Sequence, residues 1–86
     1  MTCHFSGHVQ GVGFRYTVRQ LATRYPISGY VRNLSDGRVE LVMEGAEPEI
    51  NKLLNDIREA MEAHINHTDC QSAPATGEFR NFEIRH

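Results

Sequence analysis

The chain has 86 residues, of which 40% are hydrophobic and 23% charged, an ordinary balance for a soluble globule. That length leaves no room for a second independently folding unit, so one domain over residues 1–86 is expected. Nine Lys and Arg against eleven Asp and Glu leave a formal net charge of -2, which argues against a dedicated nucleic-acid binder, because phosphate-backbone affinity needs a clustered positive excess. From Met1 to Val9 the odd positions Met1, Cys3, Phe5, Gly7 and Val9 alternate with Thr2, His4, Ser6 and His8, the period of a half-buried strand. Gln10-Gly11-Val12-Gly13 is too glycine-rich to stay regular. From Phe14 the apolar positions Phe14, Val18, Leu21, Ala22 and Tyr25 mark one face of a helix that Pro26 stops.

Ile27 to Leu34 and Arg38 to Gly45 flank Ser35-Asp36-Gly37, and Asp-Gly supplies the positive-φ positions of a tight hairpin, so paired antiparallel strands are expected there. Val39, Leu41 and Met43 should point into a core while Arg38, Glu40 and Glu44 face water. Pro48 suits a first helical turn, Glu47 and Glu49 complement its positive end, and Ile50, Leu53, Leu54, Ile57 and Met61 make the stripe of a second helix. His64 to Gly77 reads as a weak edge strand followed by a loop, and Phe82 and Ile84 alternate with Asn81, Glu83 and Arg85 as a last short strand, with Phe79 out of phase. The order strand, helix, strand, strand, helix, strand matches an α+β split βαβ fold, with a four- to five-stranded antiparallel sheet and two helices on one face.

No apolar run approaches a membrane span, and Met1 leads directly into alternating sequence without a signal-like apolar stretch, so the expected address is the cytoplasm. Cys3 and Cys70 are too few and too far apart to read as a disulfide framework, and free thiols are expected. His64, His67, Asp69 and Cys70 fit no closed structural-zinc spacing, and neither these nor His4 and His8 are taken as metal ligands.

The informative segment is Gly7-His8-Val9-Gln10-Gly11-Val12-Gly13-Phe14-Arg15. Glycines between a strand and a helix let successive backbone N–H groups converge, and such a nest at a helix N-terminus can hold an oxyanion. Arg15, in the first helical turn, could reach the same anion with two parallel hydrogen bonds. The plain alternative is a tight turn beside a solvated cation. A dinucleotide loop is disfavoured, since Tyr16 stands where a third glycine would be needed.

These residues resemble the acylphosphatase family. Gly7, Val9, Gln10, Gly11, Val12, Phe14 and Arg15 match its first signature, and Gly29, Val31, Asn33, Asp36, Gly37 and Val39 match its second, in the same order. The resemblance is dense from about Phe5 to Gly45 and thin from His64 to Gly77, and His8 stands where the family often has Lys or Arg. It implies a small ferredoxin-like enzyme that hydrolyses acyl phosphates to a carboxylate and inorganic phosphate, without metal or cofactor, by direct in-line attack of water. In that scheme Arg15 binds the phosphoryl group, Asn33 positions the water, and the backbone amides of Gln10, Gly11, Val12, Gly13 and Phe14 complete the phosphate site. Small-molecule acyl phosphates, and inorganic phosphate as product and inhibitor, are the implied partners, while the small, charged surface and the charge balance lead to the expectation of a monomer that contacts neither nucleic acid nor membrane. In the family's sheet Cys3 and Cys70 could meet, if the first strand and the outer strand were antiparallel neighbours. The rival class is a non-catalytic module on the same scaffold that binds phosphate or an acyl phosphate; RNA binding is disfavoured, because Tyr30 is the only stacking candidate on the central strands.

Overall fold

A computed structural model describes residues 1–86. The alternating N-terminal segment forms β1 (Thr2–Gly7), and the first apolar stripe forms α1 (Phe14–Ala22). The two segments around the Asp-Gly turn form β2 (Ser28–Asn33) and β3 (Val39–Glu44), followed by α2 (Glu47–Ala60), β4 (Ile65–Gln71) and β5 (Phe82–Arg85). The strand order β4-β1-β3-β2-β5 is what a split βαβ chain produces when its two halves interleave.

Period-two patterning decides which face of each strand is buried. Cys3, Phe5, Val31, Val39, Leu41 and Met43 are buried beneath the helices, whose stripes supply Phe14, Val18, Ala22, Ile50, Leu53, Leu54 and Ile57 to the same core of 16 residues. Among them the Phe5 and Phe14 rings lie 5.2 Å apart, tilted, so the strand before the glycine loop and the helix after it are packed together. The opposite face stays polar. There Glu40 accepts hydrogen bonds from Tyr30 Oη and Arg32 Nε at 2.8 Å each and pairs with His4 Nε2 at 3.1 Å. Burial, the largest single influence, pushes the Glu40 carboxyl up, but the bonds from Tyr30, His4 and Arg32 together outweigh it and hold the group below its ordinary value.

Several details differ from the sequence reading. The first helix ends at Ala22, and Tyr25, expected on its inner face, instead donates its hydroxyl to Asp56 of α2 from the turn that follows. The sheet is antiparallel through four strands, but the fifth runs parallel to its neighbour, with Gly29 to Arg32 of β2 opposite Phe82 to Arg85 of β5. β4 ends at the end of the sheet where β2 begins. The connecting segment crosses there, with Thr76 and Gly77 bonded to Glu44 at the end of β3, so β5 starts beside Gly29 and runs parallel to β2. The edge strand β4 is seven residues long, because it borrows register from β1 instead of needing an apolar face of its own. Phe79 lies in the loop before β5, its ring 5.8 Å from Tyr30, and the Arg85 guanidinium sits 4.3 Å above the Tyr30 ring.

The free-thiol expectation is overturned. Cys3 and Cys70 form a disulfide between β1 and β4. The antiparallel register sets the two residues directly opposite one another, Cα to Cα 4.0 Å, although 67 positions separate them in the chain. Distance along the sequence was the wrong measure of their proximity.

Candidate active site

The loop between β1 and α1 is built by two glycines in the left-handed region, Gly11 and Gly13, each with φ of 77°. A side chain at either position would meet no neighbouring atom, so glycine is there for the backbone conformation and not for space. Gly13 is the N-cap of α1 and brings no capping side chain, and the first turn carries no acidic residue. The first turn of α2, by contrast, holds Glu47 and Glu49. No protein group accepts from the backbone N–H groups of residues 10–14, which leaves five donors at the positive end of a helix. An oxyanion of phosphate size is the ligand such a cradle can hold.

A cleft of about 270 Å³ opens beside this loop. Gly11, Gly13, Phe14 and Arg15 line it from the loop and α1, and Asn33 lines it from the end of β2. The structure therefore brings together Arg15 and Asn33, which are 18 positions apart in the chain. No Asp or Glu lines the cleft. An anion entering it meets the Arg15 guanidinium with no acidic side chain on the walls to oppose it.

Arg15 is half-buried, and only its Nη1 is engaged, donating to the Arg85 carbonyl at 3.4 Å and lying 3.1 Å from His86 Nδ1. Its Nε and Nη2 have no protein acceptor, so the fork that suits a pair of phosphoryl oxygens is free. Asn33 is half-buried, with Oδ1 shut away from solvent and unpartnered, an acceptor whose isolation costs about 1–3 kcal/mol unless a donor reaches it.

Gln10 and Val12 contribute differently from their neighbours. Val12 packs partly against the core. The Gln10 side chain turns away from the cleft, and its Nε2 donates to the carbonyls of Leu34 at 2.8 Å and Arg38 at 3.0 Å. These carbonyls also close the hairpin turn, accepting from Gly37 N at 3.2 Å and Leu34 N at 2.8 Å. One amide thus ties the glycine loop to the turn that follows Asn33. The turn itself is stiffened by Asp36, whose carboxyl is held below its ordinary value by the backbone N–H of Arg38 and then by the Arg38 side chain.

Residues 1–84 match the acylphosphatase family model. The chain belongs to the acylphosphatase family. It is 44% identical over 82 residues to the acylphosphatase of Syntrophus aciditrophicus, covering 94% of this chain and 85% of that one, and 42% identical over 85 residues to that of Deinococcus radiodurans, covering 98% and 97%. Among solved structures it is similar to the Bacillus subtilis acylphosphatase, with a TM-score of 0.88 at 27% identity over 99% of this chain and 96% of that one.

Within this acylphosphatase-family site the sequence reading missed Val9, Tyr16, Ile84 and His86, all of which line the cleft. Ile84 and His86 arrive on β5 and just beyond it, and only the parallel pairing of β5 with β2 places them beside α1. Tyr16 fell on the outward face of the helical stripe and carried no separate signal. His8, the noted departure, lies outside the cleft, exposed, with its N–H bonded to the His64 carbonyl at 2.9 Å.

Proposed function

We propose that this chain, as a single domain over residues 1–86, hydrolyses the carboxyl–phosphate anhydride of acyl phosphates to a carboxylate and inorganic phosphate. One observation supports the residue roles: Gly11, Gly13 and Phe14 of the loop with free N–H groups, Arg15 with an unengaged Nε and Nη2, and Asn33 with an unpartnered Oδ1 line a single cleft. The amides and Arg15 hold the phosphoryl oxygens and take up charge that shifts onto them and the leaving oxygen in the transition state. The Asn33 carboxamide, once turned so that Oδ1 faces the cleft, accepts from a water and sets it in line with the scissile P–O bond. As the water oxygen bonds to phosphorus, the P–O bond to the acyl oxygen breaks and its electron pair leaves with the carboxylate, while the water's proton passes to phosphate or solvent.

A carboxylate is a good leaving group without protonation, so the scheme calls for no general acid, nucleophile, metal or cofactor. Inorganic phosphate, which shares the phosphoryl geometry, is both product and competitive inhibitor. A monomer needs no partner to complete the cleft, since every residue in the scheme comes from one chain. No helix is long and apolar enough to cross a membrane. The cytoplasmic address read from the sequence pulls against the Cys3–Cys70 bridge, because reducing compartments keep thiols free, and a thiol count on freshly lysed cells separates the two.

The test is phosphate release from acetyl phosphate in the presence of chelator. Arg15→Gln is expected to lower turnover by at least about 100-fold, the scale of losing one preorganised oxyanion donor. A folded Arg15→Gln protein with near wild-type turnover would remove Arg15 from the mechanism. Binding of phosphate without any turnover by the wild-type chain would instead favour the non-catalytic module.

A further inference from the structure

The cradle and Arg15 grip the end that all acyl phosphates share, which leaves the acyl end to be read by whatever else lines the cleft. Tyr16 follows Arg15 in the first turn of α1, lines the cleft, and is the one large hydrophobic residue left exposed, at 61%. The other two tyrosines are engaged. Tyr25 donates its hydroxyl to Asp56, and Tyr30 donates to Glu40 while its ring packs with Phe79 and Arg85. The Tyr16 hydroxyl has no hydrogen-bond partner and its ring no aromatic or cationic neighbour, so nothing in the fold accounts for an aromatic residue at this position. Ile84, half-buried, adds a second apolar surface to the same cleft.

A phosphoryl group seated on the residue 10–14 amides must project its acyl substituent outward along these walls. Apart from Arg15 and Asn33, which the phosphoryl end and its water occupy, the polar groups left to it are His86 and the Tyr16 hydroxyl, set against the apolar Tyr16 ring and Ile84. The Tyr16 ring and Ile84 offer the acyl end an apolar contact surface. A flat ring can offset-stack on an exposed tyrosine and release water from both faces, whereas a methyl group covers little of it.

We propose that Tyr16, with Ile84, is the specificity-determining surface for the acyl group and selects aryl acyl phosphates over short aliphatic ones. The inference rests on the hydrolase reading above and names its substrate class. The contact lies at the ring face, so the phenol oxygen is dispensable.

The experiment measures kcat/KM of the full chain for benzoyl phosphate and acetyl phosphate in the wild type, Tyr16→Ala and Tyr16→Phe. Comparing the benzoyl-to-acetyl ratio between proteins cancels the different intrinsic reactivity of the two substrates. Tyr16→Ala is expected to lower that ratio by about two- to tenfold, the range of an aromatic pair, while Tyr16→Phe keeps it. An unchanged ratio in Tyr16→Ala, whether or not both rates fall, overturns the proposal, and so does a Tyr16→Phe ratio as low as that of Tyr16→Ala. Failure of the wild type to release phosphate from either compound is a different result: it defeats the hydrolase reading itself and this inference with it.

Discussion

Removing the Gln10 side chain tests whether the loop and the hairpin act as one unit. In Gln10→Ala the two bonds from Nε2 to Leu34 O and Arg38 O are lost. Neither carbonyl is orphaned, because Gly37 N and Leu34 N still donate to them. The cost is therefore that of two net hydrogen bonds, about 1 kcal/mol each and about 2 kcal/mol in all, without a further penalty for a buried unpaired acceptor. In a domain this small each 1 kcal/mol moves the melting temperature by about 4–8 °C, so a fall of about 10 °C is expected by thermal unfolding. Turnover should fall by more than stability implies, up to about 100-fold, because a displacement of about 1 Å between the water-positioning residue and the phosphate cradle is enough for a loss of that size. Gln10→Glu, which keeps the shape but presents a carboxylate to two carbonyls, should be at least as damaging. A double-mutant cycle with Asn33→Ala gives the decisive reading: if Gln10 acts by holding Asn33 in register with the loop, the double variant should be little worse than Asn33→Ala alone. Fully additive losses in kcat, or a Gln10→Ala protein with unchanged melting temperature and turnover, would refute the reasoning.

Asn33→Ala is expected to lower kcat by more than it raises the inhibition constant of inorganic phosphate, since water alignment matters only in the transition state; equal changes in steady-state kinetics and product inhibition would contradict that role. Reducing the Cys3–Cys70 bridge should destabilise the fold by about 2–4 kcal/mol, the typical effect of a disulfide, read as the shift in urea midpoint with and without reductant. Glu40 is held below its ordinary value in the folded state, so its contribution to stability is complete above the unfolded carboxylate range, near 4.5, and fades as pH falls through the lower folded value. Urea midpoints measured from pH 7 down to pH 3 should therefore drop more steeply for the wild type than for Glu40→Gln, and parallel acid limbs would show that the network adds nothing.

Much of the architecture was legible because its signals are short-range. Alternation in Thr2 to Gly7, the stripes of α1 and α2 and the Asp-Gly turn each depend on a few consecutive residues, and the structure trims their expected ends by only a few positions. The glycine-built loop with its free amides was legible for the same reason: Gly11 and Gly13 supply a backbone conformation, and Arg15 follows in the first helical turn. Asn33 was not readable this way. It looks like an ordinary residue entering a hairpin, and only resemblance to the family raised it above its neighbours.

What the chain determined by itself was the order and type of its elements and the presence of a nest of free amides followed by a guanidinium. Tertiary structure alone decided the disulfide, the parallel direction of β5, the arrival of Ile84 and His86 in the cleft and the bracing of the hairpin by Gln10. The physical reason is that a period or a turn is a property of neighbours along the chain, whereas a register between strands is set by which faces the whole core can bury at once. Cys3 and Cys70 meet because β1 and β4 share such a register, a relation that no local window spanning either cysteine contains.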